Sequence, residues 1–333
     1  MKITDGPIFI VGTPRSGTTL TARLLGSHSN IFMPGETHFL NDIYSRRRIL
    51  GEPENLESLD AIVVRLSTLY SRLNEFPDQE RVDRLLSSGA LSSAVSGCRS
   101  YRDVFTAFME IQMKSEGKTR WGNQVPREVL EIETLLEMFP DARVIGCVRD
   151  VRDFLFSYRE KWRRESGENA ARLKKLYHPV ITSMIWKKSN SALELARKRH
   201  PENVTISRYE DLVNDPETKL RQLCSFIGEK FEPDMLETGF SNSSAGDGEV
   251  GIFKSGINRW SGQLADSDVF LAQTLCRKLM QRHKYSTMPV YPGVVSVTGI
   301  ILSTPFKLIR ALHANRAIRG PLLPYLRKRI RPI

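Results

Sequence analysis

The chain has 333 residues, of which 40% are hydrophobic and 26% charged, so it is long enough to bury one large α/β core with appended helices or two small domains, and one main domain is expected. A formal net charge of +11 points to an anionic partner, but there is no helix-turn-helix cue, zinc pattern or aromatic RNA-recognition run, so nucleic acid is not the expected one. Cys98, Cys147, Cys224 and Cys276 are far apart with no CxxC or Cys/His spacing, which argues against a metal site or disulfide framework and suits a reducing compartment.

The first element is an apolar strand, Pro7 to Val11, reached within a few residues of the N-terminus. That leaves no room for a secretory signal or N-terminal anchor, so the expected location is cytoplasmic. The strand runs into Gly12-Thr13-Pro14-Arg15-Ser16-Gly17-Thr18-Thr19 and then a helix carrying Leu20, Leu24 and Leu25. A glycine-bracketed turn between strand and helix is an anion cradle, because loop and first-turn N–H groups converge where the helix dipole is positive. The spacing is that of a nucleotide-binding P-loop, yet Thr18 stands where its Lys belongs and the cation has moved to Arg15. Without that Lys, ATP or GTP hydrolysis is disfavoured and a nucleotide with fewer chained phosphates fits better. A tight turn holding no ligand has the same glycines.

Asn30 to Met33 reads as a short second strand, followed by Pro34-Gly35-Glu36-Thr37-His38. From about Tyr44 to Lys118 the pattern is mostly helical and polar and is assigned to a lid or acceptor-binding insert. Arg127 to Phe139 is helical, with Val129, Ile132, Leu135, Leu136 and Phe139 on one face and a stop at Pro140. Ala142 to Val148 is a buried parallel strand, so Arg149 sits at a carboxyl end, where ligands of open α/β sheets collect, and can face the same ligand as Arg15. Its guanidinium fork suits phosphate, although pairing with Asp150, Asp153 or a surface carboxylate is the alternative. Arg152 and Arg159 read as solvated helix residues, Cys147 and Cys224 as core filler. Helices are expected at Phe154–Lys161 and His178–Arg199, and a buried strand at Val204–Ser207. Asp215-Pro216 opens a helix whose Leu220, Leu223, Cys224 and Ile227 make one face and which ends at Gly228. The basic runs 46–48, 161–164, 174–175 and 197–199 read as solvated faces.

Beyond Asp268 there is no acidic residue, while Lys307, Arg310 and six further Arg or Lys between 316 and 331 accumulate. The apolar run Val290 to Phe306 is interrupted by Pro292, Gly293 and Pro305 and falls short of the roughly 20 residues a spanning helix needs. Either an interfacial helix with a basic tail on anionic lipid, at the inner face of the membrane, or packing of the segment on the domain or on a second copy satisfies this pattern. The expected organisation is a domain over residues 1–288, with the insert at about 44–120, and a basic apolar extension over 289–333.

Thr13 to Thr19 resembles the 5′-phosphosulfate loop of sulfotransferases that use 3′-phosphoadenosine 5′-phosphosulfate (PAPS), especially the bacterial branch related to tyrosylprotein and heparan sulfotransferases. Arg143 to Ser157 is similar to the second family motif, Ser207-Arg208-Tyr209-Glu210-Asp211-Leu212 to a third segment, and Phe253-Lys254-Ser255-Gly256 to Trp260 to the segment that closes over the nucleotide. The resemblance covers roughly residues 6 to 262 and is patchy between about 40 and 120. It implies an α/β, P-loop NTPase-like three-layer fold with a central, mainly parallel sheet flanked by helices. It further implies PAPS as co-substrate, a metal-independent in-line transfer, and a hydroxyl- or amine-bearing acceptor such as a glycan, lipid or small molecule.

By the same resemblance, Arg15 and the Ser16, Gly17, Thr18 and Thr19 backbone hold the 5′-phosphosulfate, and Arg149 and Ser157 the 3′-phosphate, with Lys254 and Ser255 adding to the latter. Tyr209 contacts the adenine or is simply core. Glu36 looks like the general base of the tyrosylprotein-type branch and His38 is its understudy, while a helix cap and an ordinary surface or core histidine are the plain alternatives. Gln124, in Trp121-Gly122-Asn123-Gln124-Val125-Pro126, replaces a family Lys that stabilises the leaving group. An amide donates a hydrogen bond but cannot neutralise charge, so either Arg127 or Arg120 compensates, or the chain is a slow or silent PAPS-binding or membrane-docking protein. A P-loop kinase is the remaining, weaker alternative.

Overall fold

The computed structural model describes residues 6–73, 89–164, 166–174, 176–237 and 251–314. Part of the 44–118 stretch, Lys175 and the basic tail beyond residue 314 lie outside the described residues. Five strands form one sheet in the order β2-β3-β1-β4-β5: β1 (Ile8–Gly12), β2 (Ile31–Phe32), β3 (Arg120–Gln124), β4 (Arg143–Val148) and β5 (Val204–Arg208). β1 runs parallel to both β3 and β4, and β2 parallel to β3, with Ile8 in register with Gly122 and with Arg143. The central place of β1 accounts for its apolar sequence, since all five of its residues are buried. β5 closes the sheet at one side and is half-buried rather than buried throughout, with only Val204 and Ser207 inside.

The main helices, between the strands and after the last of them, are α1 (Thr18–Gly26), α2 (Leu56–Leu73), α3 (Tyr101–Ser115), α4 (Ile132–Met138), α5 (Val151–Arg159), α6 (Pro179–Arg199), α7 (Pro216–Ile227), α8 (Asp266–Arg282) and α9 (Val294–Ala314). The start and stop signals of α7 act as expected: the Asp215 carboxylate accepts from Thr218 N at 3.2 Å, Pro216 is the first helical residue, and Gly228 ends the helix at φ 82°. The stretch 127–139 is two pieces, a 3₁₀ turn over Pro126–Leu130 and then α4, because Glu131 leaves helical geometry (φ −121°, ψ 17°).

Two compact units make up the chain, one from Met1–Cys147 with Leu195–Ile252, the other from Val148–Glu194 with Phe253–Ile333. In the first, α3 corrects the expectation of a polar insert. Tyr101, Val104, Phe105, Phe108 and Met109 recur at helical spacing and are buried, and Phe105 stacks on Phe39 with ring centroids 4.1 Å apart while meeting Trp121 edge-on at 5.5 Å. A capping box closes its start, Ser100 accepting from Asp103 N at 3.1 Å and Asp103 accepting from Ser100 N at 3.0 Å. In the second unit Trp186 is fully buried and its indole N–H donates to Arg149 O at 2.8 Å. Cys147, Cys224 and Cys276 are core residues, and burial pushes the Cys147 thiol up to about 12.

The C-terminal region also differs from expectation. α9 is continuous over 21 residues because Pro292 and Gly293 precede it and Pro305 is accommodated inside it. Pro305 removes the bond its own N–H would give the Ile301 carbonyl, and at the neighbouring position the Ser303 and Thr304 hydroxyls donate to Ile300 O at 2.8 and 3.1 Å. By length and composition α9 is long enough to cross a bilayer.

Candidate functional site

The loop between β1 and α1 is held open by two glycines and one strained arginine. A Cβ on Gly12 would meet Cys147 O at 2.4 Å, and one on Gly17 would meet the Tyr209 ring at 2.7 Å, with Gly17 itself at φ 93°. Arg15 adopts φ 75°, which is uncommon outside glycine, and the turn is tied by Ser16 N and Ser16 Oγ, both donating to Thr13 O at 3.1 and 2.6 Å. Gly17 is the N-cap of α1, no side chain caps that end, and no acidic residue lies in its first turn. The first-turn amides therefore keep their donor capacity and the positive helix end, the two features an anion requires. Tyr209 is buried with its ring packed against Gly17, so it lines the loop whatever else it touches.

The segment after β2 reaches the same helix end. His38 Nε2 lies 3.0 Å from Glu36 Oε2, with both side chains partly open to solvent, and His38 is at φ 51°. Gln124, at the end of β3 and buried, donates from Nε2 to Thr18 Oγ1 at 3.2 Å and to Glu36 Oε1 at 3.5 Å. Thr18, Gln124, Glu36 and His38 thus form one polar chain. Three buried residues that sequence reasoning missed hold it. Thr37 Oγ1 donates to Asn123 Oδ1 at 3.0 Å, Asn123 Nδ2 donates to Glu128 Oε2 at 3.4 Å, and Glu128 Oε1 accepts from Leu40 N at 3.3 Å. This network pins both ends of the Thr37–Leu40 turn to β3, and with all three side chains about 1% exposed each lost bond would leave a desolvated group. Its only local signal is a polar pair, Asn123-Gln124, inside an otherwise core strand.

Arg120 does not stand in for the missing Lys. It starts β3, about 13 Å of strand away from Gln124, and donates to Gly6 O at 2.8 Å and to Ile227 O at 2.5 Å while pairing with Glu229 at 3.3 Å. Arg127 is exposed in the 3₁₀ turn that follows.

The second unit carries the Arg149 group. Arg149 is buried and donates to Gly256 O. Asp150 caps α5, accepting from Arg152 N at 2.8 Å, and is gripped by the Arg152 guanidinium at 2.9 and 2.6 Å. The expectation that Arg152 and Arg159 are solvated is therefore wrong. Arg152 is 5% exposed, lies over the Trp260 ring at 4.3 Å and bonds Gln273 at 3.1 Å; Arg159 donates to Gln263 O at 2.8 Å and pairs with Glu160 at 2.9 Å. Both belong to a helix whose neighbours come from beyond residue 255, which no local pattern reveals. Asp153, which the sequence offers only as a partner for Arg149, accepts from Asn258 N at 2.8 Å and from Trp260 N at 3.1 Å. Burial raises its carboxyl above its ordinary value, against the opposing pull of Arg149 and of those two amides. Arg149 and Asp153 so fasten the Phe253–Trp260 loop, leaving Lys254 and Ser255 exposed and Gly256 and Trp260 buried. Ser157 is half-buried one turn beyond Asp153 on α5.

The strands carrying the two groups are parallel neighbours, with Gly12 in register with Cys147, so the Gly12–Gly17 loop and Arg149 both follow strand carboxyl ends. A strand–loop–helix anion cradle on a mainly parallel sheet defines the P-loop-like class of α/β proteins. Within it, residues 7–233 match the model of the Sulfotransferase family, and the chain belongs to that family. Its fold is similar to the sulfotransferase domain of the Synechococcus PCC 7002 olefin synthase (TM-score 0.54, 20% identity, 85% of this chain and 95% of that one) and to that of the curacin biosynthetic pathway (TM-score 0.55, 23% identity, 85% and 99%). Among curated proteins it is similar to an uncharacterised Aquifex aeolicus protein, 26% identical over 76% of this chain but only 30% of that protein's length. It is also 21% identical over 69% of its length to a candidate protein-tyrosine sulfotransferase of Caenorhabditis briggsae, of which it covers 68%.

Proposed function

We propose that the protein transfers a sulfuryl group from PAPS to a hydroxyl or amine of an acceptor. The observation that carries this reading is the chain Thr18–Gln124–Glu36–His38 at the uncapped start of α1. It sets a carboxylate and a neutral donor beside an anion cradle, which is the equipment an in-line transfer between two oxygens needs. Arg15 and the amides of residues 16–19 hold the 5′-phosphosulfate; Arg149, Ser157, Lys254 and Ser255 serve the 3′-phosphate, and Tyr209 the adenine.

Glu36 accepts the acceptor's proton, with His38 at 3.0 Å fixing its orientation. The new bond forms between acceptor oxygen or nitrogen and sulfur as the bond from sulfur to the phosphate oxygen breaks. Negative charge then grows on that phosphate, where Gln124, Thr18 and Arg15 donate. No metal ion takes part in this scheme, and the reaction runs in the cytoplasm.

Isothermal titration with 3′-phosphoadenosine 5′-phosphate beside ATP, for wild type and Arg149→Ala, tests the nucleotide. Binding of the bisphosphate well above ATP, lost in the variant, supports the assignment. No binding, or a preference for ATP with magnesium, overturns it. Release of the bisphosphate from PAPS in the presence of candidate acceptors then tests transfer.

A further inference from the structure

The outward face of α9 is apolar and unpartnered among the described residues. No residue of the helix is buried, Val295 is 87% exposed, Leu302 74% and Phe306 66%, and Val294, Ile301 and Ile309 share that surface. A contiguous patch of this kind on a soluble domain marks an interaction surface. The opposite stripe, Val297, Ile300, Thr304, Lys307, Ala311 and Ala314, recurs at three- and four-residue spacing and is half-buried, so the helix lies along the unit that carries it.

Two fastenings hold it there. Before the helix, the Gln273 side-chain amide pairs with Met288 in both directions, Nε2 donating to Met288 O at 2.9 Å and Oε1 accepting from Met288 N at 2.8 Å. At mid-helix Ser303 Oγ lies 3.2 Å from His178 Nε2.

Charge identifies the occupant. From Lys307 to the C-terminus the sequence has eight Lys or Arg and no Asp or Glu, and Lys307 and Arg310 stand at the C-terminal end of the helix itself. Apolar side chains flanked by a polybasic segment match an anionic bilayer, whose acyl chains take up the first and whose headgroups attract the second. We infer that α9 docks the protein on an anionic membrane as a helix lying in the plane of the interface, without crossing it. The half-buried stripe and the Ser303–His178 contact at mid-helix lay α9 along its own unit, the arrangement of a helix in the interface rather than of one that has left its unit to span.

Flotation of the full-length chain with vesicles of phosphatidylcholine alone, or mixed with phosphatidylglycerol, tests this independently of any nucleotide. Binding to the mixed vesicles should exceed binding to neutral ones at least tenfold, weaken as salt is raised, and be released by alkaline carbonate. The double variant Leu302→Glu/Phe306→Glu, at exposed positions, should keep the wild-type melting temperature and lose at least tenfold in vesicle binding. Three outcomes overturn the inference: equal or absent binding to both vesicles; carbonate-resistant insertion, which means the helix spans; and a lipid-free dimer that the double variant dissociates, which assigns the face to a second copy.

Discussion

The Gln124 amide donates to the Thr18 hydroxyl at 3.2 Å, so this buried side chain at the end of β3 is already engaged with the start of α1. If that amide is the donor that meets the departing phosphate, Gln124→Met lowers kcat about 10²-fold, the scale of one lost transition-state donor, with a smaller change in nucleotide affinity. Gln124→Lys, adding a charge at the same reach, raises kcat above wild type. Single-turnover measurements decide the matter; an unchanged rate in the methionine variant removes Gln124 from the chemistry.

Glu36→Gln keeps the size of the side chain and the contact with Gln124 but cannot take a proton. It should lower kcat by about 10²- to 10⁴-fold while bisphosphate binding stays within about threefold of wild type. His38→Ala, acting through Glu36, should cost less. Equal and complete loss in both variants would make the histidine the base instead.

Asp153 draws the Phe253–Trp260 loop onto α5 through two backbone amides. Asp153→Ala frees both and should weaken 3′-phosphoadenosine 5′-phosphate at least tenfold, with adenosine 5′-phosphate, which lacks the 3′-group, affected far less. Calorimetry with the two nucleotides separates this positioning effect from general unfolding, which would weaken both alike.

His178 gives the fold an acid-sensitive point. Its pKa is lowered, first by burial and also by Lys307, with the Ile300 carbonyl and Asp268 opposing. A histidine whose folded pKa lies below its unfolded value binds fewer protons when folded, so its stability contribution is complete above the unfolded value, about 6.5, and is lost as pH falls from there through the lowered folded pKa. Melting temperatures from pH 7 to pH 5 should fall more steeply for wild type than for His178→Gln.

Phe105→Ala opens a cavity under the Phe39 ring it stacks on at 4.1 Å and should destabilise by about 3–5 kcal/mol, the usual range for a buried aromatic truncated to alanine. Because Phe39 follows His38, the variant should also lose activity below its melting temperature. Denaturant unfolding and kcat at low temperature check the two parts.

Features that depend on near neighbours are legible in the amino-acid sequence alone. The Gly12–Gly17 loop, the buried β1 and β4, the Asp215 and Gly228 ends of α7 and the placing of Glu36 and Arg149 beside strand ends follow from spacing, capping chemistry and hydrophobic period, which act over a few residues; β3, which carries Gln124, has no such signal and emerges only in the fold. Averaging conceals α3, whose apolar stripe is diluted by the polar stretch around it.

What no local rule supplies is partnership. Arg152 has the sequence context of a surface residue, and only the fold brings Trp260 and Gln273 against it; Asp153 reads as a candidate partner of the nearby Arg149, and the fold places two amides 105 and 107 positions on upon its oxygens; Asn123 interrupts a core strand, and Thr37 meets it across 86 residues. The chain's residue types specify which groups need a partner; chain topology, by closing those long loops, specifies which partner each one finds, and so which charges are buried for use and which merely face water.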